Sequence, residues 1–294
     1  MHPQLSSLLA SVVCVQGTDS IYSGKVCSSD QVRELELRER VAAQHYDDYL
    51  NVIALHHSVT VMDHEVDRFL AEIPEGALIL DIGGCWGWHW RSLALSRPDV
   101  GVLIVDFVRA NLIHAQRVLG SLVGSQVALM HADASCLPFS DAEDSLHGFD
   151  AVWTVQVFQH IPDFEGACRE AHRVLKPYGR FINYSLHTTP LNRMIYYLLG
   201  KKFHIEGMWN DSFYLNRANN SQRKVIADIF GGKVKDRYTE CLFHPDLKLT
   251  FSGRIDSLFG LLDKHLGMLN WLGRWIARQR SFETIKIPAL PLEV

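Results

Sequence analysis

Between residues 77 and 186, five short apolar runs alternate with stretches patterned for helices: ALILDI, GVLIVDF, QVALMHAD, FDAVWTVQVF and RFINYSL. A strand that is apolar on both faces must be covered on both faces. Strands separated by helix-length segments pair in parallel, because a parallel return needs a crossover. This pattern predicts an α/β fold: a doubly wound, mostly parallel sheet with helices on each side. The helices are expected at Trp88 to Ser96, along RANLIHAQRVLGSL from Arg109, and along FEGACREAHRVLKPYG from Phe164 to a stop at Pro177 and Gly179.

The flanks divide the rest of the chain. Residues 1–30 form a small head rich in Ser, Gly, Val and Cys. Residues 31–75 form a helical cap, with Asp30 as a capping candidate and a second helix from Val59 to Glu72 stopped at Pro74-Glu75-Gly76. The core spans 76–187. An insertion at 188–256 is expected to form a lid over an acceptor, with a helix at 190–199 and another, SQRKVIADIFGG, capped by Ser221 and stopped at Gly231-Gly232. Residues 257–294 hold an amphipathic helix and RSFETIKI, expected as a returning edge strand.

Composition closes off several classes. Lys and Arg number 29 against 33 Asp and Glu, a formal charge of −4, which exerts no global pull toward nucleic acid or an acidic membrane. The six cysteines lack the dense, even spacing of a secreted disulfide scaffold. No basic stretch precedes Leu5–Val15, and no apolar run reaches the roughly 18–20 residues of a membrane span. A cytoplasmic protein, as monomer or homodimer, is the expectation.

The first run continues into LILDIGGCWGWHW, Leu78 to Trp90. A glycine loop after a strand, with Asp106 about twenty residues on, is what dinucleotide-binding folds show. Here Cys85 stands between Gly83 and Gly87, so the loop does not spell G-x-G-x-x-G. Ligands of open parallel sheets sit beyond the carboxyl ends of the strands, where Asp81, Asp106, Asp133 and Thr154 to Gln156 fall. Asp106 suits the two hydroxyls of a ribose, and Asp133 suits an adenine amino group. A dinucleotide-dependent oxidoreductase is the more distant reading.

Four segments in order, LILDIGGCWGWHW, VLIVDF, HADASCLPFSDAEDSLHGFDAVWTVQVFQHIPD and ACREAHRVLKPYGRFI, resemble class I S-adenosylmethionine-dependent methyltransferases. The resemblance is to the group containing the ubiquinone-pathway and type 11 small-molecule enzymes, and it covers about residues 76–187. It implies a Rossmann-like enzyme whose cofactor is S-adenosylmethionine and whose acceptor is a small molecule. By the same resemblance, Asp81 and the loop from Gly83 to Gly87 surround the methionine part. Asp106 binds the ribose, Phe107 lies against the adenine, Asp133 and Ala134 read the adenine edge, and Thr154 lines the amino group through its backbone. Cys85 departs from the family's usual glycine, and a loop blocked there would leave a non-catalytic binding or scaffold protein. Trp86 and Trp88 could touch the sulfonium by cation–π attraction, or simply pack the following helix.

Methyl transfer needs in-line alignment, and a base only where the nucleophile must lose a proton. His160, after the fourth run, and His187, after the fifth, are the candidate catalytic bases, and they mildly favour oxygen as the target. The alternative for His160 is a helix-start histidine bonded to backbone. His45, His56, His57 and Tyr46 lie in the cap, Tyr46 having the best case for closing the pocket. No metal is expected, since His56-His57 is adjacent and no H-E-x-x-H or C-x-x-C pair occurs. The head resembles a degenerate zinc ribbon, with Ser11, Cys14, Cys27 and Asp30 at the ligand positions. An RNA acceptor would need a basic face, hinted at only by Lys201-Lys202 and Arg274 to Arg280. Residues 257–280, with Leu258, Leu262, Leu266, Leu269, Leu272 and Ile276 at helical spacing, suit either packing or peripheral contact with a membrane surface.

Overall fold

A computed structural model describes residues 1–12, 15–16, 19–24, 35–40, 57–142, 148–209, 213–242, 253–266 and 269–288. Its centre is a nine-stranded sheet. The strands are β1 (Val15–Gln16), β2 (Ile21–Ser23), β3 (Leu78–Ile82), β4 (Gly101–Asp106), β5 (Val127–His131), β6 (Phe149–Val155), β7 (Leu175–Leu186), β10 (Lys235–Thr239) and β11 (Gln279–Ile285), in the order β1-β2-β5-β4-β3-β6-β7-β11-β10. Strands β2 through β7 of this sheet are mutually parallel, while β11 runs antiparallel to β7 and to β10. The chain winds outward from β3 through β4 to β5, then restarts on its other side with β6. The strand order therefore reverses at β3 and β6, and a crevice opens beyond their carboxyl ends.

Successive strand side chains face opposite ways, and the five core strands fill a separate apolar core on each face. Leu78, Leu80, Leu103, Val105, Val152 and Phe181 face one core, where α1 (Pro3–Ser11), α5 (Phe164–Val174) and α7 (Asn220–Phe230) pack through Leu5, Leu8, Cys168, Ile226 and Phe230. Ile79, Val102, Ile104, Leu129, Trp153 and Ile182 face the other, covered by α2 (His57–Glu72) and α4 (Arg109–Leu119) through Val66, Phe69, Leu112 and Ala115.

Several expected boundaries move. Trp88 to Ser96 is not one helix but a single turn at Trp88–Trp90 followed by α3 (Leu93–Ser96). α5 stops at Val174, short of Pro177, because Leu175 and Lys176 already run into β7 and a residue before proline disfavours helix. The cap of α7 is Asn219, whose Oδ1 accepts from the Gln222 N–H at 2.9 Å, rather than Ser221, which lies inside the first turn. Gly231, left-handed at φ +67°, ends that helix as expected. RSFETIKI forms β11, an interior strand between β7 and β10, and β10 takes the edge. Part of 188–256 therefore belongs to the main sheet. Besides α7, which packs on that sheet, the other described elements of this range are α6 (Pro190–Leu198) and the separate hairpin of β8 (Glu206–Trp209) and β9 (Phe213–Asn216). At the other end, β2 of the head pairs with β5. Cys14, Cys27 and Asp30 of the expected ribbon, and His45, Tyr46 and His56 of the cap, lie outside the described residues, as does the side chain of His57.

A buried ionic cluster ties α2 to the far side of the sheet. Glu65, 2% exposed, accepts two bonds from the Arg237 guanidinium at 2.8 Å, one from Arg68 at 3.0 Å and one from the Tyr184 hydroxyl at 2.8 Å. The arginines hold its carboxyl below the usual range despite the opposing effect of burial. Arg68 also pairs with Glu283 of β11.

Candidate functional site

The crevice at the switch point holds a cavity of about 300 Å³. Its walls come from the carboxyl ends of β3, β4, β5 and β6, with Gly83, Asp106, Asp133 and Gln156 at the respective strand exits.

The glycine loop is shaped by close approach. Gly83 has φ +71°, and a Cβ there would stand 2.8 Å from Cγ1 of Val157 and closer still to Cγ2. At Gly84 a Cβ would lie 2.7 Å from the Asp81 carboxyl carbon and 2.8 Å from Ile104 Cγ2. Cys85 takes φ +51°, a left-handed conformation that costs a residue with a Cβ on the order of 1 kcal/mol. Its N–H donates to Oδ2 of Asp106 at 3.0 Å, a charge-assisted bond that offsets that cost. Cys85 is half-buried on the cavity wall, and both burial and the Asp106 charge push the pKa of its thiol up, so it remains protonated. The loop thus keeps its cradle with cysteine in the usual glycine position.

Asp106 is 4% exposed. Oδ1 accepts from the Val108 N–H at 2.8 Å and, at 3.5 Å, from Asn111. Together with Cys85 these use three of the carboxylate's about four acceptor positions, leaving room for a ligand hydroxyl. Burial pushes its pKa up to about 6 against the pull of those backbone donors. Asp133 is held by the Ser135 N–H at 2.8 Å, and Phe107 and Ala134 join it on the wall.

Other expected site residues lie elsewhere. Asp81 sits beneath the loop rather than on the cavity wall, bonded at 2.6 Å to the Trp90 indole N–H, with its pKa pushed to about 7 by burial. Gly87 packs on Leu119 and Ile104; the Thr154 side chain is enclosed in the sheet, so its expected role falls to its backbone alone. The tryptophans of the loop also turn away from the cavity. Trp86 donates to Asn111 at 3.1 Å and rests on His114, and Trp88 lies under the Arg91 guanidinium at 4.5 Å. Packing, not a sulfonium contact, accounts for them.

The histidines part company. His160 lines the cavity at the end of the one-turn helix Phe158–His160. Its Nδ1 is 2.8 Å from the Tyr214 carbonyl, so that nitrogen carries the proton and donates. Gln159 Oε1 accepts from the Leu186 N–H at 2.7 Å, which leaves the Gln159 amide nitrogen, 3.1 Å from His160 Nε2, to donate to it. Both ring nitrogens are engaged, and burial, followed by the charge of Arg38, pushes the pKa down to about 4. His187 is away from the cavity, its Nε2 at 3.4 Å from the Arg274 carbonyl and its ring 5.2 Å from Tyr238. Strand β7 carries it past the crevice toward β11.

Sequence reasoning missed Arg38, Asn111 and Val157 on the wall, and placed Gln156 only as the end of a strand. Arg38 lies on a helical segment at 35–40, whose Glu39 accepts from the Arg109 N–H at 2.8 Å and so caps α4. Asn111, one turn past Asp106, could have been inferred from helical spacing. The left-handed backbone of Gln156, φ +57°, carries no sequence signature. Among the described residues there is no group of three or more His, Cys, Asp and Glu able to hold a metal ion.

A doubly wound sheet with a glycine cradle, a buried ribose-type carboxylate and no phosphate fingerprint defines a Rossmann-like, nucleoside-binding fold of the methyltransferase kind. Residues 80–183 match the family model described as a methyltransferase domain. Over these residues the chain is similar to class I S-adenosylmethionine-dependent methyltransferases, enzymes whose methyl donor is S-adenosylmethionine. The cavity suits that ligand by its own geometry: a backbone cradle without space for a Cβ, and a buried carboxylate with acceptor capacity to spare. The chain is 32% identical over 165 residues to a demethylmenaquinone methyltransferase of Staphylococcus epidermidis, covering 54% of this chain and 64% of that one. It is 34% identical over 136 residues to a sterol 24-C-methyltransferase of Eremothecium gossypii, covering 43% of this chain and 35% of that one. The chain thus spans less than two thirds of the length of these relatives. Among solved structures, an S-adenosylmethionine-dependent methyltransferase from Thermotoga maritima superposes with a TM-score of 0.53 at 16% identity, covering 85% of this chain and 99% of that one. That likeness establishes the fold.

Proposed function

We propose that this protein is an enzyme that transfers the methyl group of S-adenosylmethionine to a small, apolar acceptor by in-line displacement. The observation that carries this reading is the pairing of Asp106 with the glycine cradle, locked together by the Cys85 N–H. Bound S-adenosylmethionine supplies an electrophilic methyl group on a sulfonium. Asp106 would hold the ribose hydroxyls, Asp133 and Ala134 the adenine edge, and Phe107 would lie against the ring. Gly83 to Cys85 would let the backbone approach the methionine part, and Arg38 would offer charge to its carboxylate. The contribution of the chain is positioning, which by itself can supply much of the acceleration.

Oxygen as the target rested on two histidine bases. His160, with both nitrogens engaged, and His187, outside the cavity, no longer support it. A carbon nucleophile in an apolar acceptor fits better, and the name of the sterol 24-C-methyltransferase points the same way.

Calorimetric titration with S-adenosylmethionine and S-adenosylhomocysteine tests the first half. Micromolar binding of both, lost in Asp106→Ala, is expected; no binding by folded protein would overturn it. The second half is read by transfer of labelled methyl from S-adenosylmethionine to a naphthoquinol, a sterol or bulk RNA. Labelling of RNA alone would refute the small-molecule reading.

A further inference from the structure

The active edge of the sheet carries an apolar surface that the fold leaves uncovered. α6 leaves the carboxyl end of β7, and α9 (Asn270–Ile276) enters β11 at the same edge, where the His187 N–H donates to the Arg278 carbonyl at 2.7 Å. The two helices pack against each other. On α6, Tyr197 is 83% and Leu198 73% exposed, with Met194 exposed beside them. On α9, Trp271 is 70% and Trp275 57% exposed. The preceding helix α8 (Gly253–Leu266) buries one side on α2 and leaves Leu258, Leu261 and Leu262 in solvent. Aromatic and aliphatic side chains so exposed on adjoining helices exceed the scattered apolar residues of an ordinary surface.

Charge discriminates among the occupants such a face could take. Residues 190–202 carry Arg193, Lys201 and Lys202 and no acid. Residues 258–276 carry Lys264 and Arg274, and their one acid, Asp263, is buried, accepting from the N–H groups of Cys241 at 2.6 Å and Leu242 at 3.0 Å. The face is therefore basic on a chain whose net charge is −4. A second copy docked on it would set these cations against their own equivalents. Indole and phenol rings flanked by Lys and Arg match a bilayer interface, where rings enter the headgroup layer and cations meet anionic phosphates.

We propose that the face formed by α6 and α9, extended by the exposed stripe of α8, docks on the surface of an anionic lipid bilayer. Docking there would turn the edge of the sheet that bears the cavity toward the lipid. No described helix is long and apolar enough to cross a membrane, so the contact is peripheral.

Cosedimentation of the purified full chain with vesicles tests this without cofactor or acceptor, so it stands or falls separately from methyl transfer. Vesicles of mixed phosphatidylcholine and phosphatidylglycerol should capture the protein, pure phosphatidylcholine should not, and added salt should release it. A cation near such a surface contributes about fivefold in affinity, so Lys201→Glu with Lys202→Glu should weaken capture at least about tenfold. Trp271→Ser with Trp275→Ser should abolish it, while Leu95→Ser, which alters a 91%-exposed leucine of α3, outside the proposed face, should not change it. Circular dichroism would show each variant folded, and the charge variant carries the test should the tryptophan variant unfold. Failure of wild type to bind anionic vesicles, or capture undiminished in folded variants, would overturn the proposal. So would a dimer of the wild type that Trp271→Ser with Trp275→Ser converts to monomer without any vesicle binding, which would assign the face to a second copy.

Discussion

Replacing Gly83 with alanine probes the cradle at its tightest point. At φ +71° a Cβ costs about 1–2 kcal/mol, of which the stiffer unfolded chain returns about 0.4–1 kcal/mol. The new Cβ would also stand 2.8 Å from Cγ1 of Val157 and nearer to Cγ2. Relieving an overlap of that kind in packed surroundings costs about 1–3 kcal/mol. The sum is a destabilisation of about 1–4.5 kcal/mol, or roughly 2–7 °C in Tm for a chain of this size. Because Val157 and Gly83 both line the cavity, the adjustment displaces the ligand wall, and affinity for S-adenosylhomocysteine should fall at least about tenfold. Urea unfolding and calorimetry read the two effects. Val157→Ala in the same chain removes both Cγ atoms but leaves the Cβ of residue 157 at 3.0 Å. The double variant should therefore be more stable than additivity allows by about 1 kcal/mol. Unchanged stability and affinity in Gly83→Ala, or strict additivity in the pair, would refute the close-approach account.

Asp106 titrates near 6 in the folded protein. If ligand hydroxyls use its ionised form, affinity for S-adenosylhomocysteine should weaken toward tenfold per pH unit as pH falls below about 6, and Asp106→Asn should flatten that profile. The same raised value, with Asp81 near 7, makes protonation favour the folded state. These two carboxyls thus stabilise the free protein as pH falls from about 7 toward 4, while His89, His160 and His187, held near 4, oppose them over the same window. Glu65→Gln takes the carboxylate from Arg237 while Arg68 keeps Glu283, and because Arg237 keeps partial solvent contact the loss should be about 3 kcal/mol, the low end for a buried pair; a loss under about 1 kcal/mol in denaturant unfolding would contradict the cluster's role. His160→Gln should change the methyl-transfer rate less than about tenfold and leave its pH profile intact between about 5.5 and 8. A hundredfold loss together with a missing acidic limb would restore it as a base.

The parts of the site legible in the sequence are those held by strand ends. Gly83, Asp106, Phe107, Asp133 and Ala134 line one cavity because each sits at the carboxyl end of a parallel strand or in the few residues that follow it, and parallel strands end on one edge. Asp81 and Thr154 lie one residue before the ends of β3 and β6, where side chains alternate between faces, and the alternation turns their side chains into the protein. Arg38 escaped notice because it reaches the cavity from a cap 40 residues before Leu78, the start of the first core strand. His187 looked equivalent to His160 since both follow strands, yet β7 extends to residue 186 and pairs with β11 beyond the crevice.

Apolar runs and their spacing were sufficient for the doubly wound sheet and its switch point, because burial on both faces and chain connectivity are local properties of a pattern; the class of ligand came from the resemblance of four segments to a known family. Three matters waited on the folded chain: the strand order at the β10–β11 edge, the occupation of both nitrogens of His160, and the exposure of the aromatic rings of α6 and α9. Each depends on what a side chain or strand meets across long separations in the chain. Periodicity alone could show that residues 257–280 have an apolar stripe, but only the packing of α8 on α2 and of α9 on α6 decides which side remains in solvent.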